Sequence, residues 1–189
     1  ILNCLGNPND KLEKPRLRRG LIIGDVQSGK TATYTGLICK AADAGYKVVI
    51  LLTGITENLR RQTQERIDEG IVGITLRREG KTDKHPRVGV GFDNKAIKAT
   101  SLTSTLNDFV GNSHNITMSL ASNSLVLFVV KKNVSVLERL FNWLKDQNID
   151  PVKGYVDVPM LLIDDEADNA SVNTRKDETD PTRTNKLIR

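Results

Sequence analysis

Eight residues, Gly24, Asp25, Val26, Gln27, Ser28, Gly29, Lys30 and Thr31, match the pattern Gly-x4-Gly-Lys-Ser/Thr at every fixed position. That spacing suits the holding of a triphosphate. The glycines allow a sharp turn, so that consecutive backbone N–H groups can converge on phosphate oxygens. Lys30 would open a helix and reach the β- and γ-phosphates, where the helix N-terminus adds its own dipole. The Thr31 hydroxyl is placed to bind Mg²⁺. A glycine-bearing turn can match this pattern by chance, so the flanks matter: an apolar run precedes it and an amphipathic segment follows.

Hydrolysis of a triphosphate also needs a carboxylate for the metal and a base for the attacking water. Residues 160–168 read Met-Leu-Leu-Ile-Asp-Asp-Glu-Ala-Asp, an apolar strand that ends in acids. Strand ends of a parallel sheet share one edge, which would put these acids in the same crevice as the phosphate loop. Asp165 is the candidate to hold Mg²⁺, directly or through water, and Glu166 the candidate to polarise water. Asp164 could replace Asp165 if the strand ends one residue earlier.

The elements that must position these groups are legible in outline. Four short apolar runs, 21–23, 48–52, 125–130 and 160–163, do not alternate with polar residues, as expected of strands buried on both faces. Between them lie helical patterns. Residues 30–44 put Tyr34, Leu37, Ile38, Ala41 and Ala42 on one face, and Gly45 follows as a stop. Residues 57–69 form a more polar helix with a seam of Leu59, Thr63 and Ile67. Residues 135–147 carry Leu137, Leu140, Phe141 and Leu144, with Ser135 and Glu138 spaced as a capping box. Strands alternating with helices predict an α/β fold with a doubly wound, mostly parallel sheet. A further strand is expected near 87–90, and 112–124 reads as a polar excursion.

Length and composition agree with one domain over residues 1–189, with a lead-in at 1–19 and an exposed loop at 174–184. No apolar run approaches the roughly 20 residues of a membrane span. Signal-peptide features are missing, and Cys4 and Cys39 fit no metal spacing, so a cytoplasmic protein with reduced thiols is expected. The net charge of +5 is a mild basic excess, clustered at 11–20, 59–66 and 76–87. With aromatics at 4%, no base-stacking platform is indicated.

The motifs carry a resemblance. Asp165-Glu166-Ala167-Asp168 is similar to motif II of the superfamily 2 helicases and translocases, and residues 53–62 occupy the place of their motif Ia. A GTPase base-reading Asn/Thr-Lys-x-Asp loop is not found; the nearest candidate, Asn94-Lys95-Ala96-Ile97, lacks the aspartate. Most of 18–70 and 124–189 resembles the N-terminal ATPase region of the Z1-domain proteins. These are bacterial helicase-like proteins, often described as endonucleases and linked to restriction or phage defence. The resemblance implies a RecA-like P-loop NTPase domain, ATP and Mg²⁺ as cofactors, and action on DNA. By motif it gives Lys30 and Thr31 the phosphate-loop roles, and Asp165 and Glu166 the metal and water roles. It also implies a second RecA-like domain in cis, absent from these residues, and partners within a defence system. An isolated first domain is then expected to turn over ATP slowly or not at all.

Further cations could face DNA. Arg60 and Arg61 lie at a crevice edge where a strand crosses into a helix, and could equally form a solvated helix face. Lys131 and Lys132 sit where the third long apolar run ends, on the edge shared with both motifs, although lysines there also serve solubility. His85 and His114 read as surface residues, and Trp143 as core or a partner contact.

Overall fold

The computed structural model describes residues 1–10, 17–24, 29–74, 77–79, 82–84, 87–89, 99–111, 124–176 and 179–189. Its centre is an all-parallel sheet flanked by helices, an α/β fold. In chain order the elements are α1 (Lys30–Ala44), β1 (Val48–Thr53), α2 (Glu57–Ile67), β2 (Arg77–Glu79), β3 (Thr82–Lys84), β4 (Ala99–Ser101), β5 (Leu125–Lys131), α3 (Val134–Asn148), β6 (Met160–Asp164) and α4 (Arg183–Ile188). Among the described residues the main sheet runs β4-β5-β1-β6, and β2 and β3 form a separate antiparallel hairpin.

The three longer apolar runs form strands; β1 and β5 are covered on both faces, while β6 pairs with β1 and keeps Leu162 exposed. All six residues of β1 are buried between β5 and β6. The pleat divides the core by parity. Odd-numbered residues of the sheet, Val49, Leu51, Leu127, Val129 and Leu161, pack with Tyr34, Leu37, Ile38 and Ala41 of α1 and Ile67 of α2. Even-numbered residues, Val48, Ile50, Leu52, Val126, Phe128 and Val130, pack with α3 and with Leu187 and Ile188 of α4. There Phe109, Phe128 and Trp143 stand edge-to-face, with ring centroids 5.4–5.8 Å apart. Trp143 is therefore core.

Four expectations need correction. Residues 21–23 form no strand, and Leu21, Ile22 and Ile23 are 78%, 52% and 87% exposed. Three apolar residues gain burial only if a neighbouring strand accepts them. Among the described residues β6 is the edge on its side of the sheet, with Leu162 exposed. The expected seam of α2 is also shifted: Leu59 is exposed, while Arg60, Thr63, Gln64 and Ile67 are buried. On α3 Phe141 faces outward, while Val136 and Trp143 are in the core. The cap of α3 is Asn133 rather than Ser135, its Oδ1 accepting from the N–H groups of Ser135 and Val136.

The region between β3 and β5 contributes the short strand β4, which no apolar run announced. Near the expected strand at 87–90 there is an isolated bridge between Ile74 and Arg87; Val90 and 112–123 lie outside the described residues. Asp180 and Pro181 precede α4, but its cap is Thr182, whose hydroxyl accepts from Asn185 N.

Candidate functional site

The site is built from the segment that opens α1, the connection from β1 to α2 and the end of β6. On the loop side, Asp25, Val26, Gln27 and Ser28 lie outside the described residues. Gly24 is exposed. Gly29 takes the left-handed conformation (φ 78°, ψ 22°) that glycine adopts without steric cost, and α1 begins at Lys30. The Lys30 ammonium is exposed and donates to Gly24 O at 3.0 Å, folding back across the loop. One residue on, Thr31 Oγ1 accepts from Arg66 Nη1 of α2 at 3.1 Å.

Tyr34 follows Thr31 by three residues, so it lies on the same helical face. Its hydroxyl is buried with the Thr31 and Thr63 hydroxyls beside it, none aligned as a full hydrogen bond. Burial raises the phenol above its ordinary value. The Thr31 and Thr63 hydroxyls and the Arg66 charge oppose that rise, while the Asp165 carboxylate adds to it. Thr31 of the first motif and Asp165 of the second thus act on one buried oxygen.

Parity explains why Asp165 and not Asp164 is there. Asp164 follows Met160 and Leu162 on the α3 side of β6; Asp165 follows Leu161 and Ile163 on the α1 side. Asp165 N continues the ladder by donating to Leu52 O at 2.9 Å, and its Oδ1 accepts from Glu166 N at 3.1 Å. Asp164 is occupied elsewhere: its Oδ1 lies 2.8 Å from Lys132 Nζ, an ion pair short of an aligned hydrogen bond. Glu166 is exposed and adopts φ 54°, a left-handed conformation that costs a residue with a Cβ about 1–2 kcal/mol.

A Mg²⁺ ion bound with a nucleotide needs only one or two protein ligands, the rest being phosphate and water. Among the described residues no group of three or more His, Cys, Asp or Glu could hold a metal alone. Of the residues expected to hold such an ion, Thr31 stands in the first turn of α1 and Asp165 follows β6 on the α1 side of the sheet. Arg66 would have to release Thr31 for it.

The four candidate DNA contacts separate. Arg60 is 0% exposed: its guanidinium donates to Glu57 Oε1 at 2.7 Å and Ser104 O at 2.9 Å, and lies 3.9 Å from Asp108. It ties α2 to the loop after β4 and offers no charge to a phosphate. Lys132 is also buried, at 4% exposure, and paired to Asp164. Lys131 donates to Glu57 Oε2 at 2.9 Å. Burial alone would raise the Glu57 carboxyl, but the hydrogen bonds from Arg60 and Lys131 outweigh it and hold the group below its ordinary value. Arg61 remains at the surface, paired with Glu65 at 3.4 Å.

Reasoning from sequence missed Arg66, Gly54 and the second role of Tyr34. The spacing of Tyr34 from Thr31, one helical turn, was the available signal; Gly54, directly after β1, was another. No family model, curated protein or solved structure matches the chain. Among the described residues no helix is long and apolar enough to cross a membrane.

Proposed function

We propose that this chain is the nucleotide-binding, ATP-hydrolysing domain of a DNA-directed, superfamily 2 helicase-like protein with a RecA-like P-loop fold, of the Z1-domain kind. The observation that carries the reading is that Asp165 follows β6 on the sheet face covered by α1, the helix that Lys30 and Thr31 open. The parallel sheet supports it, because the acids end a strand beside β1 and Asp165 among them falls on the α1 side.

In this reading residues 24–30 bind the phosphates, with Lys30 leaving Gly24 O for the phosphate oxygens. Thr31 and Asp165 would hold Mg²⁺, which supplies charge neutralisation at the β- and γ-phosphates when bound. Glu166 accepts a proton from, or orients, the attacking water. Residues 21–23 would join the sheet in a complete RecA-like domain, a position they do not take here.

A second reading is a nucleotide-gated switch in a defence complex, without DNA translocation. A specific observation favours it: of four cations expected to face DNA, Arg60 and Lys132 are buried and Lys131 is paired with Glu57. The experiment is ATP turnover by the natural full-length protein, with and without single- and double-stranded DNA. Lys30→Ala should reduce turnover on the order of 10²–10³-fold, the usual cost of one preorganised charge-stabilising donor. DNA stimulation lost in that variant supports the motor. Lysine-dependent turnover indifferent to DNA moves the assignment to the switch, and turnover indifferent to Lys30→Ala refutes both.

A further inference from the structure

Glu166 holds an unfavourable backbone conformation at an exposed turn, and such a conformation persists only where the surroundings impose it. We propose that Lys132 is a positioning residue for Glu166: its buried ammonium clamps the turn over residues 164–169 and so seats the Glu166 carboxylate over Gly54. The inference rests on the ATPase reading, since it concerns how a water-polarising carboxylate is placed.

Three oxygens surround the Lys132 ammonium, two in hydrogen bonds and one in an ion pair. They are Asp164 Oδ1 at 2.8 Å, Glu166 O at 2.5 Å and Asn169 O at 3.0 Å. Neutralising a buried lysine would need only the carboxylate. The other two acceptors are main-chain carbonyls on either side of the turn, so this ammonium also dictates the path of the chain. Glu166 O accepts a second bond from Asn169 N at 2.8 Å, which closes the turn. The residue with φ 54° is thus held by its own carbonyl, from a lysine that follows β5, two strands away from β6 in the sheet.

The side chain is placed by a missing one. A Cβ added at Gly54 would lie 2.7 Å from Glu166 Oε2 and 2.8 Å from Leu59 Cδ1. The carboxylate therefore lies in space that glycine leaves open at the end of β1. Gly54 itself is outside the left-handed region, so alanine there strains no backbone, and both atoms it would meet end flexible side chains. That separates the placement of Glu166 from the stability of the fold.

The test measures kcat, KM for ATP and the stoichiometry and affinity of a non-hydrolysable ATP analogue with Mg²⁺, in the full-length protein. Lys132→Met should lower kcat on the order of 10²-fold, the scale of losing a positioned general base, with analogue affinity within about threefold of wild type. Gly54→Ala should give the same split, roughly tenfold, with an unchanged melting temperature. Two results would overturn the proposal. One is a folded Lys132→Met protein with wild-type kcat. The other is a parallel loss of kcat and analogue stoichiometry in Lys132→Met while Gly54→Ala stays at wild type, which marks a merely structural lysine. Wild-type protein without Lys30-dependent turnover instead overturns the ATPase reading, and the positioning role with it.

Discussion

The two halves of the candidate site differ in how they are held. At the acidic end, β6 is paired to the central strand, Asp165 extends the ladder to Leu52, and Lys132 closes the following turn from beneath. At the loop end, residues 17–24 are exposed coil, attached through Arg19 to the Arg189 carbonyl and through Lys30 to Gly24. The first is a paired strand with a closed turn; the described part of the second is a coil held at two points. The cations follow the same division. Arg60 and Lys132 are buried against carboxylates and carbonyls and Lys131 is half-buried against Glu57, while Lys30 is exposed and bonded to Gly24 O. A ligand bridging the halves would meet carboxylates already held by the sheet, and the ordering cost would fall more on the exposed coil at 17–24.

The sharpest way to break this comparison is to unbalance the prepared half. Arg60→Met should cost about 3–5 kcal/mol, because it leaves Asp108 and two carbonyls of the loop after β4 facing a buried apolar side chain. Arg61→Ala, which removes a solvent-exposed pair with Glu65, should stay within about 0.5 kcal/mol. Urea denaturation of both variants reads the difference directly. Similar small losses would mean that the Arg60 knot is not formed in solution.

A smaller contrast tests the loop half. Leu52→Ala removes a side chain buried between β1 and α3 and should cost about 2–5 kcal/mol. Ile23→Ala, at an exposed apolar residue, should cost less than about 0.5 kcal/mol. If the two losses are alike, residues 21–23 are seated in the sheet in solution. If Ile23→Ala becomes costly only with ATP and Mg²⁺ present, nucleotide binding recruits the segment, and the difference between the halves is one of ligand state.

What was legible in the sequence tracks burial on both faces. The runs at 48–52, 125–130 and 160–163 are apolar without alternation, and they are strands because each finds neighbours and helices to cover it. The run at 21–23 has the same composition but no seated partner, and composition does not report a partner. β4 failed in the opposite sense: Ala-Thr-Ser carries no apolar signal, yet its pairing with Leu125, Val126 and Leu127 makes a strand of it. The polar helix α2 misled for a related reason. Gln64 is buried because its amide donates to Asp68 and Ser101 and accepts from Thr103, a network whose members lie up to 39 residues apart. Side-chain identity announced the Gly-x4-Gly-Lys-Thr segment and the acids; only the pleat decided that Asp165 rather than Asp164 falls on the α1 side of the sheet.

The finest distinction is electrostatic. Burial raises the Asp108 carboxyl above its ordinary value, against the Phe109 N–H, the Arg60 charge and the Lys131 N–H, which lower it. The folded protein therefore binds this proton more tightly than the unfolded chain. In linkage terms Asp108 carries a penalty at neutral pH that is relieved as pH falls through its folded pKa. Glu57, lowered overall, behaves oppositely: its contribution is present above the unfolded value and fades as pH falls through the folded one. With its side chain about half exposed, that contribution is small after solvent screening. Comparing the stability of wild type and Asp108→Asn across the acid range isolates the first term, because the asparagine does not titrate. Wild type should gain on the variant as pH drops below neutral. A gap that stays constant would mean that Asp108 is solvated and the knot around Arg60 loose, whereas one that moves in the other direction would mean that Asp108 is firmly paired with Arg60.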